Sequence, residues 1–220
     1  MDDLRDGVAC SECWKSTHFF TQSDLLCDKC GAFLGDHKAP FPLYCRQCDD
    51  HHYNKAFALG KYQNALSAVI VDLKKVPRLP DRVLDRIKII ATSPAMHEVD
   101  LIVPVPLSVG RHKDRGFNQA EIIANALAAF SGVPVDAASL ARTTDTPMHR
   151  GGMDQKAREM TVRKAFEVVR PKLVAGKSVI LVDDVFTSGS TASFCSKALR
   201  KHGANGIKVF TLARAVKLSW

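Results

Sequence analysis

Asp183 and Asp184 stand side by side behind the apolar run Val179-Ile180-Leu181-Val182 and just ahead of Thr187-Ser188-Gly189-Ser190-Thr191. Adjacent carboxylates can accept hydrogen bonds from sugar hydroxyls or ligate a divalent ion. The small, hydroxyl-rich turn runs straight into a helix-compatible segment, 192–201, and so offers backbone N–H groups to an anion at the positive end of a helix dipole. Strand, acid pair, phosphate-sized cradle and helix start together suit a phosphorylated sugar held at both ends. A solvated Asp-Asp turn capped by Ser188 would explain Asp184 and Ser188 separately, but not the whole string. No lysine follows Gly189 and the Walker spacing is absent, which excludes a P-loop nucleotide site.

A second group of reactive side chains lies at the other end of the chain. Six of the seven cysteines form three Cys-x-x-Cys pairs, Cys10/Cys13, Cys27/Cys30 and Cys45/Cys48. Each pair can wrap two thiolates onto one tetrahedral ion, and two pairs complete a four-thiolate site. Residues 1–6 lack the basic and apolar regions of a signal peptide, so a cytoplasmic chain with zinc is favoured over disulfides. Cys27, Cys30, Cys45 and Cys48 read as two zinc knuckles and are the favoured set. Cys10 and Cys13 either complete a second site with His18, His51 or His52, or bind with Cys27/Cys30 and leave the third pair idle. The segment is too polar for its own core, so metal binding is expected to drive its folding as a structural clamp. Trp14, His18, Phe19 and Phe20 offer an alternative use as a docking surface for nucleic acid or protein.

The elements that must position these groups follow from the apolar pattern. Phe57, Leu59, Leu66, Ile70 and Leu73 recur at near-helical spacing between residues 56 and 75, with Gly60 interrupting. A second helix is expected over 81–91 and a short buried strand over 99–103. Asn118 and Glu121 form a capping box for a helix that Ser131-Gly132 stops. Residues 133–135 read as an edge strand, 142–161 as a long mobile loop, and 165–169, 179–182 and 207–213 as strands. Such alternation predicts an α/β domain with a mainly parallel sheet, whose ligands sit at the carboxyl ends of the strands. The 220 residues suit a small module over 1–55 and a larger domain over 56–220. No stretch is apolar and long enough to span a bilayer. The net charge of +8 fits polyanionic partners, although the excess is scattered rather than concentrated in a tail.

The acid pair and its turn resemble the phosphoribosyl-pyrophosphate (PRPP) signature of type I phosphoribosyltransferases. Val103-Pro104-Val105-Pro106-Leu107-Ser108 together with Arg115-Gly116-Phe117-Asn118-Gln119-Ala120 resembles the signature block of ComF-type proteins. Arg142-Thr143, Thr146-Pro147, Arg158 and Ala165-Phe166 are similar to that family's next block, and the cysteine pairs to its zinc-binding start. His149 and Thr161 depart from the family, which commonly has Gln and Asn there.

The resemblance implies a type I phosphoribosyltransferase-like fold with a small N-terminal zinc-binding module. It implies PRPP bound by its ribose hydroxyls on Asp183 and Asp184 and by its 5′-phosphate on Thr187, Ser188, Gly189, Ser190 and Thr191. The pyrophosphate would lie near Pro106 and Leu107, bridged by Mg²⁺, with Arg111, Lys113, Arg115 and Arg142 as candidate cations. Asp183, Asp184, Arg115 and Arg142 are then the expected catalytic set. Some members of the family serve DNA uptake or repair, which makes single-stranded DNA and competence or recombination proteins expected partners.

Overall fold

A computed structural model of the chain describes residues 8–36, 39–143 and 165–216. Thr146, Pro147, His149, Arg158 and Thr161, with most of the loop expected over 142–161, lie outside the described residues.

The chain begins with a short helix α1 (Ser11–Lys15), an antiparallel ribbon of β1 (Leu25–Leu26) and β2 (Phe33–Gly35), and a single 3₁₀ turn, Arg46–Cys48. Then follow β3 (Lys55–Lys61), α2 (Asn64–Asp72), α3 (Asp81–Ala91), β4 (Leu101–Pro104), α4 (Val109–Arg115) and α5 (Gln119–Ser131). Beyond them come β5 (Leu140–Arg142), β6 (Phe166–Val168), α6 (Pro171–Val174), β7 (Ser178–Phe186), α7 (Ser190–Lys201) and β8 (Gly206–Arg214).

The central sheet has the order β3-β8-β7-β4, and every neighbouring pair is parallel. This is the expected α/β class. Strands covered on both faces read as continuous apolar runs, and β7 shows why. Val179 and Leu181 enter one apolar layer with Cys27, Cys30 and Tyr53, whereas Ile180 and Val182 enter the opposite layer with α2, α3 and α5. In α3, Val83, Ile87 and Ala91 are buried at a spacing of four, one stripe of a helix. The Asn118 side chain accepts from the Ala120 N–H at 3.0 Å to open α5, and Gly132, at φ 73°, closes it.

Several expectations needed correction. Residues 55–61 form a strand, because Ala56 and Leu59 are buried in a sheet rather than along a helix stripe; the helix starts only at Asn64. The edge strand expected at 133–135 is a single bridge from Val135 to Ile102. β6 leaves the main sheet and pairs antiparallel with β5. α4 was not foreseen. β7 runs past the strand expected over 179–182, through the acid pair to Phe186, so Asp183 and Asp184 lie within the strand.

The N-terminal segment lies against the sheet. Residues 18–20 run antiparallel beside β3, with Phe20 N–H donating to Leu59 O at 2.8 Å and Lys61 N–H to His18 O at 3.0 Å. Ala56 N–H donates to Lys29 O at 2.7 Å. There Gly31, at φ 64°, passes so close that a Cβ would sit 2.8 Å from Ala56 O, so the residue after Cys30 has to be glycine. No helix among the described residues is long and apolar enough to cross a membrane.

Candidate functional site

β4 and β7 are parallel neighbours, so the loop after Pro104 and the end of β7 emerge on the same edge of the sheet. Pro106 and Leu107 are half-buried in that loop, and Ser108 caps α4 by accepting from Arg111 N–H at 3.5 Å. Arg111 and Lys113 stand exposed on α4, whereas Arg115, at its end, turns inward. An Arg115 Nη1–H donates to Gln119 Oε1 at 2.5 Å, and Gln119 Nε2–H reaches Asp184 Oδ2 at 3.4 Å. The two sequence blocks therefore meet through a chain of three side chains, Arg115–Gln119–Asp184. Lys74, just beyond α2, adds a cation 3.8 Å from Asp184 Oδ2.

Asp183 has different surroundings. Burial, and then the neighbouring Asp184 carboxylate, push its carboxyl up to about 8, against a hydrogen bond from the Asp184 N–H and the charge of Lys74. Burial, and then the Asp183 carboxylate, raise the thiol of Cys195, a fully buried core residue of α7, against the charge of Arg142. Arg142 ends β5 with its guanidinium 5.5 Å from the Phe166 ring centroid. Asp183 and Arg142 thus serve the α7 side of β7, and Asp184 and Arg115 the α5 side.

Beyond Phe186 the chain makes the small turn. Thr187 and Ser188 are exposed; Ser188 Oγ accepts from the Ser190 N–H at 3.3 Å and lies 2.9 Å from Ser190 Oγ. Gly189 is the N-cap of α7 at φ 82°. A Cβ there would come within 2.6 Å of the Phe186 ring and 2.7 Å of His51, so this position excludes every other residue type without rearrangement. Thr191 is half-buried in the first turn of α7. Gly189 supplies no side-chain cap to the twelve-residue helix, and an uncapped helix start suits an anion.

The cysteines divide sharply. The sulfurs of Cys27, Cys30, Cys45 and Cys48 all lie within 4.8 Å of one another, at 3.7 Å for Cys27–Cys48, 3.4 Å for Cys30–Cys45 and 3.6 Å for Cys45–Cys48. Tetrahedral zinc at its usual distance from sulfur needs sulfurs roughly 3.8 Å apart. The four thiols fit a structural metal. Burial pushes the Cys30 thiol up to about 12, opposed by the charge of Arg214. Burial also works against Cys27, but N–H groups of Cys30, Cys45 and Lys29 hold its thiol down to about 7. Cys10 and Cys13 are 3.3 Å apart and stand outside the group; no third donor joins them among the described residues. Two of the three histidines offered to them are engaged elsewhere: His18 bonds Asp24 at 2.7 Å, and His51 Nδ1 lies 2.6 Å from the Tyr53 hydroxyl.

Of the residues offered as a docking surface, Trp14 is buried and His18, Phe19 and Phe20 are half-buried. Trp14 is 5% exposed, Phe19 lies beneath the Arg86 guanidinium at 4.4 Å, and Phe20 stacks on Phe33, which Lys61 covers at 3.5 Å. Three residues of the site escaped sequence reasoning, Lys74, Gln119 and Arg214, and His51 was weighed only as a metal ligand. Gln119 lies inside the Arg115–Ala120 block, and Arg214, at the end of an apolar strand, carried no local sign of its distant partner. Lys74 carried no signal.

No protein-family model matches the chain. It is 33% identical to Competence protein F of Haemophilus influenzae over 94% of its own length and 90% of that protein's. It is 28% identical to the DNA utilization protein YhgH of Salmonella typhi, with the same coverage of both chains. Among solved structures it is similar to glutamine PRPP amidotransferase from B. subtilis complexed with ADP and GMP, at 25% identity and a TM-score of 0.39, over 58% of this chain and 25% of that one.

Proposed function

The chain belongs to the ComF family of competence proteins, and on that premise we propose that it binds PRPP and transfers its phosphoribosyl group to an acceptor, with release of pyrophosphate. The observation that carries this reading is the Arg115–Gln119–Asp184 chain, which ties the acid pair and phosphate turn of β7 to the loop after β4. One ligand spanning a 5′-phosphate, a ribose and a pyrophosphate would use both.

In this reading the turn of Thr187, Ser188, Gly189, Ser190 and Thr191 receives the 5′-phosphate, and Asp183 and Asp184 take the ribose hydroxyls. The pyrophosphate lies over Pro106 and Leu107, within reach of Arg111 and Arg115, while Arg142 guards the α7 side. Reaction breaks the C1′–O bond, whose electron pair leaves on pyrophosphate; an acceptor lone pair forms the new bond to C1′, and the acceptor's proton goes to solvent. Arg115 and Lys74 stabilise the charge that gathers on the leaving group. Mg²⁺, carried in with PRPP, would neutralise part of that charge, and the strand end offers it the hard carboxylate oxygens it prefers. The four-cysteine group would hold structural zinc, consistent with a module over residues 1–55 serving a domain over 56–220.

Calorimetry with PRPP and Mg²⁺ tests the site. A lost charge-assisted contact costs on the order of 2–3 kcal/mol, roughly 30–150-fold in binding, so Asp184→Ala should weaken binding far more than Lys113→Ala. Equal effects would sink the assignment. Pyrophosphate release over a panel of bases tests turnover.

The names of the relatives favour a second reading, a nucleic-acid-associated factor that binds PRPP or another phosphate ligand with little turnover. Affinity for single-stranded DNA that falls steeply with salt, with no pyrophosphate released, would select it.

A further inference from the structure

Arg214, the last residue of β8, is 6% exposed and lies between the cysteine group and the phosphate turn. Its Nη2–H points to Cys30 Sγ at 3.5 Å, and its guanidinium carbon stands 4.1 Å from the centroid of the Phe186 ring. Nη1 is buried with no hydrogen-bond partner, and among the described residues no carboxylate pairs with this arginine. A buried cation needs a compensating charge. Four thiolates around a divalent metal carry two net negative charges, and Cys30 is one of the four.

The other face of the contact is the floor of the turn. Phe186 is the ring against which Gly189 is pressed, and His51, three residues after Cys48, crowds the same Cβ position. The segment after the cysteines is also fastened to α7, since Ser193 Oγ accepts from the His52 N–H at 3.2 Å and Arg200 bonds both His52 O and Asn54 Oδ1.

We propose that Arg214 is a positioning residue that couples the four-cysteine site to the phosphate turn. Its guanidinium balances the metal–thiolate charge on one side. Lying over Phe186 on the other, it holds the turn of residues 187–191 in its anion-binding shape. A metal at the cysteines fixes Cys30, and through Arg214 and Phe186 it fixes Gly189. The cysteine module would then set the affinity of the sugar-phosphate site, an inference that rests on the reading of that turn as a phosphate site.

Hydrogen exchange tests this without any ligand. In the zinc-loaded full chain, amides of 187–193 should exchange slowly; in zinc-loaded Arg214→Met they should exchange roughly tenfold faster or more, the loss expected for one charge-assisted contact. Protection at the centres of β4 and β7 should be unchanged, which shows that the variant has folded. Arg214→Lys keeps the charge but cannot lie flat on the ring. It should retain the wild-type zinc affinity in competition with a chromophoric chelator, yet leave the turn loosened, whereas Arg214→Met weakens zinc as well. Removing zinc from wild type should loosen the turn, and removing it from Arg214→Met should loosen it little further. Unchanged turn protection in zinc-loaded Arg214→Met, or additive effects of metal removal and mutation, would overturn the coupling. Failure of the zinc-loaded wild type to bind PRPP with Mg²⁺ would instead overturn the phosphoribosyl reading, while the exchange data still decide the role of Arg214.

Discussion

Cys10/Cys13 and Cys45/Cys48 carry the same motif, and each starts a short helical turn, yet the fold treats them in opposite ways. Cys10 is the exposed N-cap of α1, with no thiol nearby except its own partner. Cys48 is 1% exposed and shares a core layer with Tyr53, Phe186 and β7. The motif supplies the geometry of two sulfurs; what lies behind it decides whether four converge. Behind Cys45/Cys48 stand the Cys27/Cys30 knuckle and the sheet, and behind Cys10/Cys13 the aromatic packing of Trp14 with Phe19. On the coupling proposed through Arg214, only one of the two settings is felt at the turn of residues 187–191.

The strongest way to break this contrast is Cys48→Ser. Removing one of four thiolates should abolish tight zinc binding and lower the melting temperature by roughly 10 °C, since a structural zinc contributes its binding energy to folding. Metal analysis and a thermal melt read both effects. Next in size, Gly189→Leu forces a side chain into the left-handed region and against Phe186 and His51. It should cost about 1–3 kcal/mol in denaturant unfolding and lower PRPP affinity, with zinc still bound. A variant with undiminished PRPP affinity would separate the turn from the cysteine layer.

A smaller effect concerns pH. The Asp183 carboxyl is raised to about 8 in the folded chain, so the folded state holds a proton that the unfolded state has lost above about pH 4. The stability from this group is complete at acid pH and declines as pH rises towards 8. Asp183→Asn should flatten that part of the melting profile, and Cys10→Ser should leave the profile as in wild type. The smallest effect closes the series. Cys10→Ser with Cys13→Ser should change stability by less than about 0.5 kcal/mol and leave one zinc per chain. A fall in zinc content would show that the first pair binds metal after all.

The acid pair, the turn and the favoured cysteine set were legible because local spacing carries them. The ordering of Cys27, Cys30, Cys45 and Cys48 into one group needed only two knuckles and a linker. Strand β3 was misread because Phe57, Leu59 and Leu66 mimic a helical stripe, and only pairing with β8 decides for a strand. The opposite duties of Asp183 and Asp184 follow from their lying in a strand, which places neighbouring residues on different faces. Lys74 and Arg214 were out of reach for a different reason: each meets its partner across more than a hundred residues of chain. Contacts of that kind leave no periodicity to read.

The antiparallel run of residues 18–20 beside β3 has a consequence for the integrity of the protein in a crowded cell. β3 is the outermost strand of the parallel sheet, and Phe20 and His18 occupy backbone groups that would otherwise be free to recruit another chain. A fragment cut off before β3 would present that strand bare. Its foreseeable fate is self-association, so the N-terminal segment also serves as a guard against aggregation.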